Sequence, residues 1–448
     1  MIRKIMQTIS IVGLGKLGSP FLATCAFRGF NVIGIDVNDH LVKLINQGKA
    51  PVDEPNLARL ILKNRKNLKA TSNYGEAIHN SDITFIIVPT PSTKNGAFSN
   101  AYVVNAIRQI GKVLAKKDKF HLMVVVSTIM PKSMDNEIIP TLENASGKKL
   151  NRDFGICYNP EFIALGSVID NLLNPDFVLI GESGKKSGEI LENFYLRFCT
   201  NKPPIVRMNL VNAEIAKIAL NSYITTKISF ANTLAQICER IPGGNVDEVT
   251  NALGLDSRIG KKYLKGALPY GGPCFPRDNR AFSSFANKVG VQASIAKATD
   301  LVNENMIAQI VKKVERTATN KNSKIAILGL AYKPDTDVAE ESAGVKVANL
   351  LSKKGAKIYV WDPKAMTKVR DLLSSKAKIA RSLKECIKNS DLIVITTPWD
   401  QFRHIKPSDL VSGIKKPVLL DCWRILDPLK YQKVAVYRTI GQESLKLA

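Results

Sequence analysis

The sequence is short of several things, and each shortage removes a class of protein. Its longest apolar runs, "ITFIIV" and "LMVVV", fall far below the ~20 residues that a membrane span needs, so no membrane span is expected. Seven cysteines, at positions 25, 157, 199, 238, 274, 386 and 422, include no CxxC pair. An odd number scattered along a long chain argues against a disulfide framework or a zinc site, so no metal is expected, and the compartment should be reducing and cytoplasmic. The opening "MIRKIMQ" is basic like the start of a signal peptide, but the apolar run after it enters a glycine turn with no cleavage-type segment, and reads as a first strand. Acidic residues are also scarce, 39 Asp+Glu against 64 Lys+Arg, for a formal charge of +25. Such an excess attracts polyanions, phosphorylated small molecules or acidic surfaces, and equally suits a merely solvated face. There is no compact arginine-rich tract and no aromatic interleaving of the kind single-strand binders use, so nucleic acid is not an expected partner.

What is present is ordinary globular composition, with 45% hydrophobic and 23% charged residues in 448. That length exceeds one hydrophobic core and suggests two or three domains. Short β-branched runs recur with helical spacing between them: "ISIVGLG", "NVIGID", "ITFIIVPT", "LMVVVST", "FGICYNP" and "FVLIG". Strands buried on both faces of a parallel sheet read this way, with βαβ crossovers between them. The rhythm stops near residue 181, and from about 211 to 240 a segment without Gly or Pro predicts one long helix closed by "IPGG". Strands resume with "KIAILGL", "KIYVWDP", "DLIVITTPW" and "PVLLDC". The expected fold is therefore α/β, two Rossmann-like doubly wound domains joined by a helical connector. The expected boundaries are 1–200, 201–318 and 319–448.

Three clusters carry chemistry. Gly13, Gly15 and Gly18 of "GLGKLG" follow a strand and open a helix, where glycines let the backbone turn, approach a pyrophosphate and pack helix on strand. The next strand ends in Asp36, where a carboxylate accepts from a ribose 2′-hydroxyl and repels a 2′-phosphate. A tight turn beside an acidic strand end would need the same residues, but the spacing favours NAD over NADP. In "GGPCFPRD", Pro276 suits a first helical turn and Asp278 follows within it, so Cys274 should sit at a positive helix end. There a thiol shifts toward thiolate, although most cysteines are small core residues. Lys217 and Asn221 lie four apart on the long helix, with Glu214 a turn earlier, and are either a solvated edge or an oxyanion-type pair.

Taken in order, "SIVGLGKLG", "PTPS", "STIMP", "YNPEF", "NAEIAKIALNSY", "GGPCFPRD" and "LGLAYKPDTD" resemble the UDP-glucose/GDP-mannose dehydrogenase family, from residue 9 to about 430. The resemblance implies oxidation of a sugar C6 alcohol to a carboxylate in two NAD-dependent steps through a cysteine thioester. Carried over by position, it makes Cys274 the nucleophile and gives Lys217 and Asn221 the oxygen charge developing at C6. Asp278, Thr128 and Glu161 would position or deprotonate water. It adds Lys16, Leu17, Thr90 and Thr128 to the cofactor contacts, and assigns Glu161, Phe162, Arg258, Tyr270, Gly271, Lys333 and Arg424 to the nucleotide sugar. It also implies a homodimer or higher homo-oligomer, to which a long apolar helix between domains points as well.

The chain departs from the family's pattern at a few positions. Leu165 stands where a second glutamate often follows "NPEF", Ala267 and Pro269 replace glycines before the cysteine, and Glu340 takes the place of an arginine after "KPDTD". The first bears on water activation near Glu161, the others on nucleotide and sugar identity. The expected reaction is UDP-glucose to UDP-glucuronate for polysaccharide synthesis. The alternatives are GDP-mannose or a UDP-N-acetylhexosamine as substrate, or a non-catalytic nucleotide-sugar-binding relative. If Asp36 selects the cofactor, kcat/KM with NAD exceeds that with NADP, and Asp36→Ser narrows the ratio by an order of magnitude or more. Equal turnover with the two cofactors in the unaltered protein would overturn that assignment.

Overall fold

The computed structural model describes residues 8–318, 323–388, 390–411 and 416–443. The chain divides into two compact units, 1–219 and 220–448. In the first, eight strands form one sheet: β1 (Thr8–Val12), β2 (Asn31–Ile35), β3 (Leu68–Thr71), β4 (Ile83–Ile86), β5 (His121–Val125), β6 (Phe154–Tyr158), β7 (Val178–Glu182) and β8 (Ile205–Asn209). Their order is β3-β2-β1-β4-β5-β6-β7-β8. The first six strands run parallel, with Ile9 opposite Val32 and Ile83. Apolar cores lie on both faces of this sheet, one around Phe21, Phe85 and Phe194 and the other around Ile107, Met134 and Tyr158. Double-sided burial of this kind explains why these strands read as unbroken hydrophobic runs.

The sheet differs from the expected all-parallel pattern at its far edge. β7 pairs antiparallel with β6, and β8 runs parallel to β7. Between β6 and β7 the chain forms only the six-residue helix Val168–Leu173. A parallel crossover is usually made by a full helix packed across the sheet, and this segment, with one short helix, instead turns the chain back beside β6. β8 also escaped the sequence reading, because Ile205–Asn209 is half-exposed and contains Arg207.

At the heart of the first sheet lies a buried polar chain. Ser10 Oγ meets Thr84 Oγ1 at 2.6 Å, Thr84 Oγ1 meets His121 Nε2 at 2.7 Å, and Lys117 Nζ meets His121 Nδ1 at 2.9 Å. Lys117 also donates to the carbonyl of Ile78 at 2.7 Å. Burial, followed by the neighbouring Lys117 charge, lowers His121 to about 3, so the ring is neutral. With Lys117 donating to Nδ1, the ring proton sits on Nε2 and is donated to Thr84.

The second unit carries a six-stranded parallel sheet built from β9 (Lys324–Leu328), β10 (Lys357–Trp361), β11 (Lys378–Ile379), β12 (Leu392–Ile395), β13 (Val418–Asp421) and β14 (Val436–Thr439). Its order, β11-β10-β9-β12-β13-β14, is the doubly wound 3-2-1-4-5-6 arrangement. Three helices precede it in the chain: Val246–Leu255, Phe275–Lys288 and Ser294–Thr317. The expected long helix spans Leu210–Cys238. It supplies its first turns to the first unit and the remainder to the second. No helix among the described residues is long and apolar enough to cross a membrane.

Candidate active site

The glycine turn after β1 is shaped by steric exclusion. Gly13 has φ +96°, and a Cβ there would lie 2.4 Å from the carbonyl oxygen of Ile87. A Cβ on Gly18 would lie 1.8 Å from the carbonyl oxygen of Gly13, so only glycine lets the helix Gly18–Phe27 rest on the turn. Gly15 has open space around it and is exposed with Lys16. Leu17, half-buried, occupies the helix N-cap without a side-chain cap bond, leaving the terminal amides directed outward. Asp36 accepts from Leu14 N–H at 2.7 Å and Asn38 N–H at 2.8 Å, one on each oxygen. Each carboxylate oxygen keeps a further lone pair for a hydroxyl donor. The turn therefore fits a dinucleotide, with Gly15 open to pyrophosphate and Asp36 available to a ribose.

The second unit repeats this architecture with a different result. Gly329 has φ +102°, and a Cβ on Gly344 would lie 2.1 Å from its carbonyl oxygen, just as Gly18 meets Gly13. The carboxylate at the strand end is Asp362, 1% exposed. One of its oxygens accepts from Leu330 N–H, Ala331 N–H and Trp399 Nε1–H at 2.7–3.0 Å. The other accepts from Lys364 and Ala365. This carboxylate is saturated by the protein and has nothing left for a ribose.

Still in the first unit, Thr90 donates to the carbonyl of Thr128 at 2.7 Å. The loop after Thr128 is held by Glu214, which is fully buried and accepts from Lys132 N–H at 2.7 Å and Met134 N–H at 2.8 Å. Burial pushes Glu214 up to about 7. One turn on, Lys217 Nζ donates to the carbonyl of Glu161 at 2.7 Å and sits 4.7 Å from the Phe162 ring centroid. Glu161 is also raised to about 7, mainly by burial, against the opposing effects of a hydrogen bond from Tyr195 and the charge of Lys217. The segment that follows is pinned by Glu54, which accepts from Gly166 and Val168. Leu165 packs against the core around Phe21, so the residue in place of the second glutamate is a packing residue.

In the second unit, Cys274 is exposed and occupies the N-cap of Phe275–Lys288, while the other six cysteines are buried. Burial raises the thiols of Cys199 and Cys386 to about 12. Pro276 stands in the first turn, as its ring requires. Asp278, 1% exposed, accepts from Asn221 Nδ2 at 2.6 Å, and Arg277 Nε lies 3.5 Å from its other oxygen. Asn221 is thus tied to the thiol's helix. Ala267 N–H donates to Asn232 of the long helix at 2.9 Å, and both Ala267 and Pro269 are buried. A Cβ on Gly271 would lie 2.3 Å from the carbonyl oxygen of Glu341, and Gly272 N–H donates to the carbonyl of Glu340 at 3.1 Å.

Several residues assigned to the sugar nucleotide are engaged with carboxylates. Tyr270 donates to Asp300 at 2.6 Å. Arg258 is exposed and forks onto Asp256 at 2.6–3.2 Å. Arg424 has φ +55° and binds Asp247 through two contacts of 2.6 and 2.8 Å, while also donating to the carbonyls of Gly266 and Ile440. Burial alone would raise Asp247, but the Arg424 fork outweighs it and holds the carboxyl below its ordinary value. Lys333 is half-buried and Glu340 exposed. Sequence reasoning missed Glu54, Tyr195 and Asp247. Their partners lie 114, 34 and 177 residues away along the chain, and no local pattern marks such pairs.

Comparison with known proteins agrees along most of the chain. Residues 7–199, 211–305 and 326–428 match the NAD binding, central and UDP binding domains of the UDP-glucose/GDP-mannose dehydrogenase family. The chain is 32% identical over 421 residues to UDP-glucose 6-dehydrogenase AglM of Haloferax volcanii, covering 93% of this chain and 97% of that protein. It is 33% identical over 431 residues to GDP-mannose 6-dehydrogenase of Pseudomonas putida, covering 91% and 97%. Among solved structures, a UDP-glucose dehydrogenase from Pyrobaculum islandicum superposes with a TM-score of 0.88 at 30% identity, covering 99% of each chain. The chain belongs to the UDP-glucose/GDP-mannose dehydrogenase family and is an NAD-dependent nucleotide-sugar 6-dehydrogenase.

Proposed function

We propose that the enzyme converts UDP-glucose to UDP-glucuronate in a four-electron oxidation through a thioester on Cys274, feeding polysaccharide synthesis. The observation that carries the chemistry is the single exposed thiol at the start of a 14-residue helix whose first turn holds Asp278 bonded to Asn221. NAD, when bound at the Gly13–Gly18 turn with its ribose on Asp36, supplies the acceptor for the hydride leaving C6 in each oxidation. The Cys274 thiolate adds to the C6 aldehyde carbon, a C–S bond forms, and the carbonyl electron pair moves onto oxygen. Lys217 and Asn221 meet that charge. Once the adduct has become a thioester, water adds to the same carbon, its proton is taken by Glu161 or Asp278, and the C–S bond breaks to return the thiolate. Residues 1–200 take the cofactor role, 201–318 the helical connector with Lys217 and Cys274, and 319–448 the nucleotide sugar, aided by Lys333 and Arg424.

The preference for UDP-glucose over GDP-mannose or a UDP-N-acetylhexosamine is supported by the likeness to the Haloferax and Pyrobaculum enzymes, and a panel of sugar nucleotides tests it. The assembly we assign is at least a homodimer through the long helix. Tyr223, Phe230 and Ile237, spaced by seven, are 65%, 54% and 47% exposed on it, the stripe that a helix partner covers. A monomeric mass by light scattering at micromolar concentration would overturn the dimer.

Turnover of the right sugar should yield two NADH per acid, with no free aldehyde. Cys274→Ser should stop the cycle or trap an ester visible as added mass, because a serine hydroxyl is a poor nucleophile at neutral pH and its ester hydrolyses slowly. One NADH per sugar with accumulating aldehyde, or full activity in Cys274→Ser, would show the thiol to be only structural.

Glu161, raised to about 7, is protonated below that value and becomes a base above it. The rate of acid release should therefore climb between about pH 6 and 8. In Glu161→Gln that limb should vanish and the rate should fall by roughly 10²-fold. An unchanged pH profile in the variant would assign the base elsewhere.

A further inference from the structure

The thiol turn is embraced by the loop that follows β9. Tyr332 N–H bonds the carbonyl of Val338 at 2.9 Å and sets the start of that loop, and the carbonyl of Glu340, near its end, receives Gly272 N–H at 3.1 Å. The ring of Tyr332 packs against Gly272, where a Cβ would come within 2.5–2.6 Å of two ring carbons. Gly272 has φ +80°, so both its backbone and its lack of a side chain admit the tyrosine. The ring is therefore fixed two residues before Cys274. Burial first, then negative charge on Cys274 and on Tyr263, raises the Tyr332 phenol above its ordinary value. The phenol thus stays protonated on a ring packed against the turn that carries Cys274.

Fixed in this way, a protonated phenol suits a hydrogen-bond donor to a thiolate. The positively charged helix end already favours that anion, and an O–H donor adds to the effect by bonding the charged form. A phenylalanine would fill the same space on Gly272, so packing alone does not call for the hydroxyl. We propose that Tyr332 is a positioning residue for the nucleophile, whose hydroxyl donates to the Cys274 sulfur when it carries charge. This rests on the reading of Cys274 as the nucleophile. It acts at two points of the cycle. Before attack, it raises the fraction of thiol present as thiolate. At the close, when the C–S bond of the tetrahedral adduct breaks and its electron pair returns to sulfur, the same donor stabilises the leaving thiolate while the phenol keeps its proton.

The test is Tyr332→Phe, which keeps the ring on Gly272 and removes only the hydroxyl. The rate of iodoacetamide alkylation of the full-length enzyme, followed by mass spectrometry from pH 5.5 to 9.5 without substrate, reports the thiolate at Cys274 alone because the other thiols are buried. We expect the midpoint to move up by roughly half a pH unit or more, and kcat to fall several-fold with KM for NAD unchanged. A urea midpoint equal to that of the unaltered protein confirms that the ring still packs. An alkylation midpoint within about 0.2 unit of the unaltered protein would overturn the proposal, since a ring that only packs leaves the thiol's titration where it was. Failure of the nucleophile reading would appear separately, as activity retained in Cys274→Ser, and leaves the alkylation result to decide the role of Tyr332.

Discussion

One helix imposes the constraint that most of the chemistry depends on. Leu210–Cys238 buries a polar stripe at Glu214, Lys217, Asn221, Thr225, Ser229 and Asn232, spaced by three or four so that it follows one face. Buried polar atoms are costly unless bonded, and here the bonds go both to loops and to the helices Phe275–Lys288 and Ser294–Thr317. In the first unit Glu214 takes two amides of the loop after Thr128, and Lys217 takes the carbonyl of Glu161. In the second, Asn221 takes Asp278 and Asn232 takes the amide of Ala267. Loops otherwise free to wander acquire fixed positions from a rigid element, which is how a site reaches the precision that catalysis needs. The cost of burying the stripe is met by the loops and helices it bonds.

Much of this was legible beforehand, and what was not has a physical explanation. The glycine turn, Asp36, the thiol at a helix start and the long helix all follow local rules of spacing and capping, so sequence carried them. The strands Leu68–Thr71 and Lys378–Ile379 were not seen, because each is short, has exposed positions and contains a lysine. The reversal at β7 follows a connection that carries only one short helix, and hydrophobic periodicity does not report strand direction. Lys217 and Asn221 could be read as a solvated edge or a working pair. The structure finds them 6% and 7% exposed, with partners drawn from elsewhere in the chain. Glu54 and Asp247 stand in no recognised motif, and only tertiary folding brings them to Val168 and Arg424.

The two Rossmann-like sheets share one frame but surround their strand-end carboxylates differently. Gly13 with Gly18, and Gly329 with Gly344, solve the same packing problem with the same residue. The carboxylates that follow have diverged in their surroundings. Asp36 spends two lone pairs on backbone amides, whereas Asp362 meets five donors, among them an indole. Trp399 in particular fills an Asp362 oxygen with its indole N–H.

That divergence has a kinetic consequence. With the Asp362 turn closed to a ribose, only the Asp36 turn of the two offers a dinucleotide a berth, yet the proposed chemistry removes two hydrides from each sugar. Spent cofactor must therefore depart and fresh cofactor arrive in the middle of a turnover, at the moment when the sugar is a reactive aldehyde. The proposed capture by Cys274 would answer this difficulty as well as the chemical one, mooring the half-finished product while the berth is refilled.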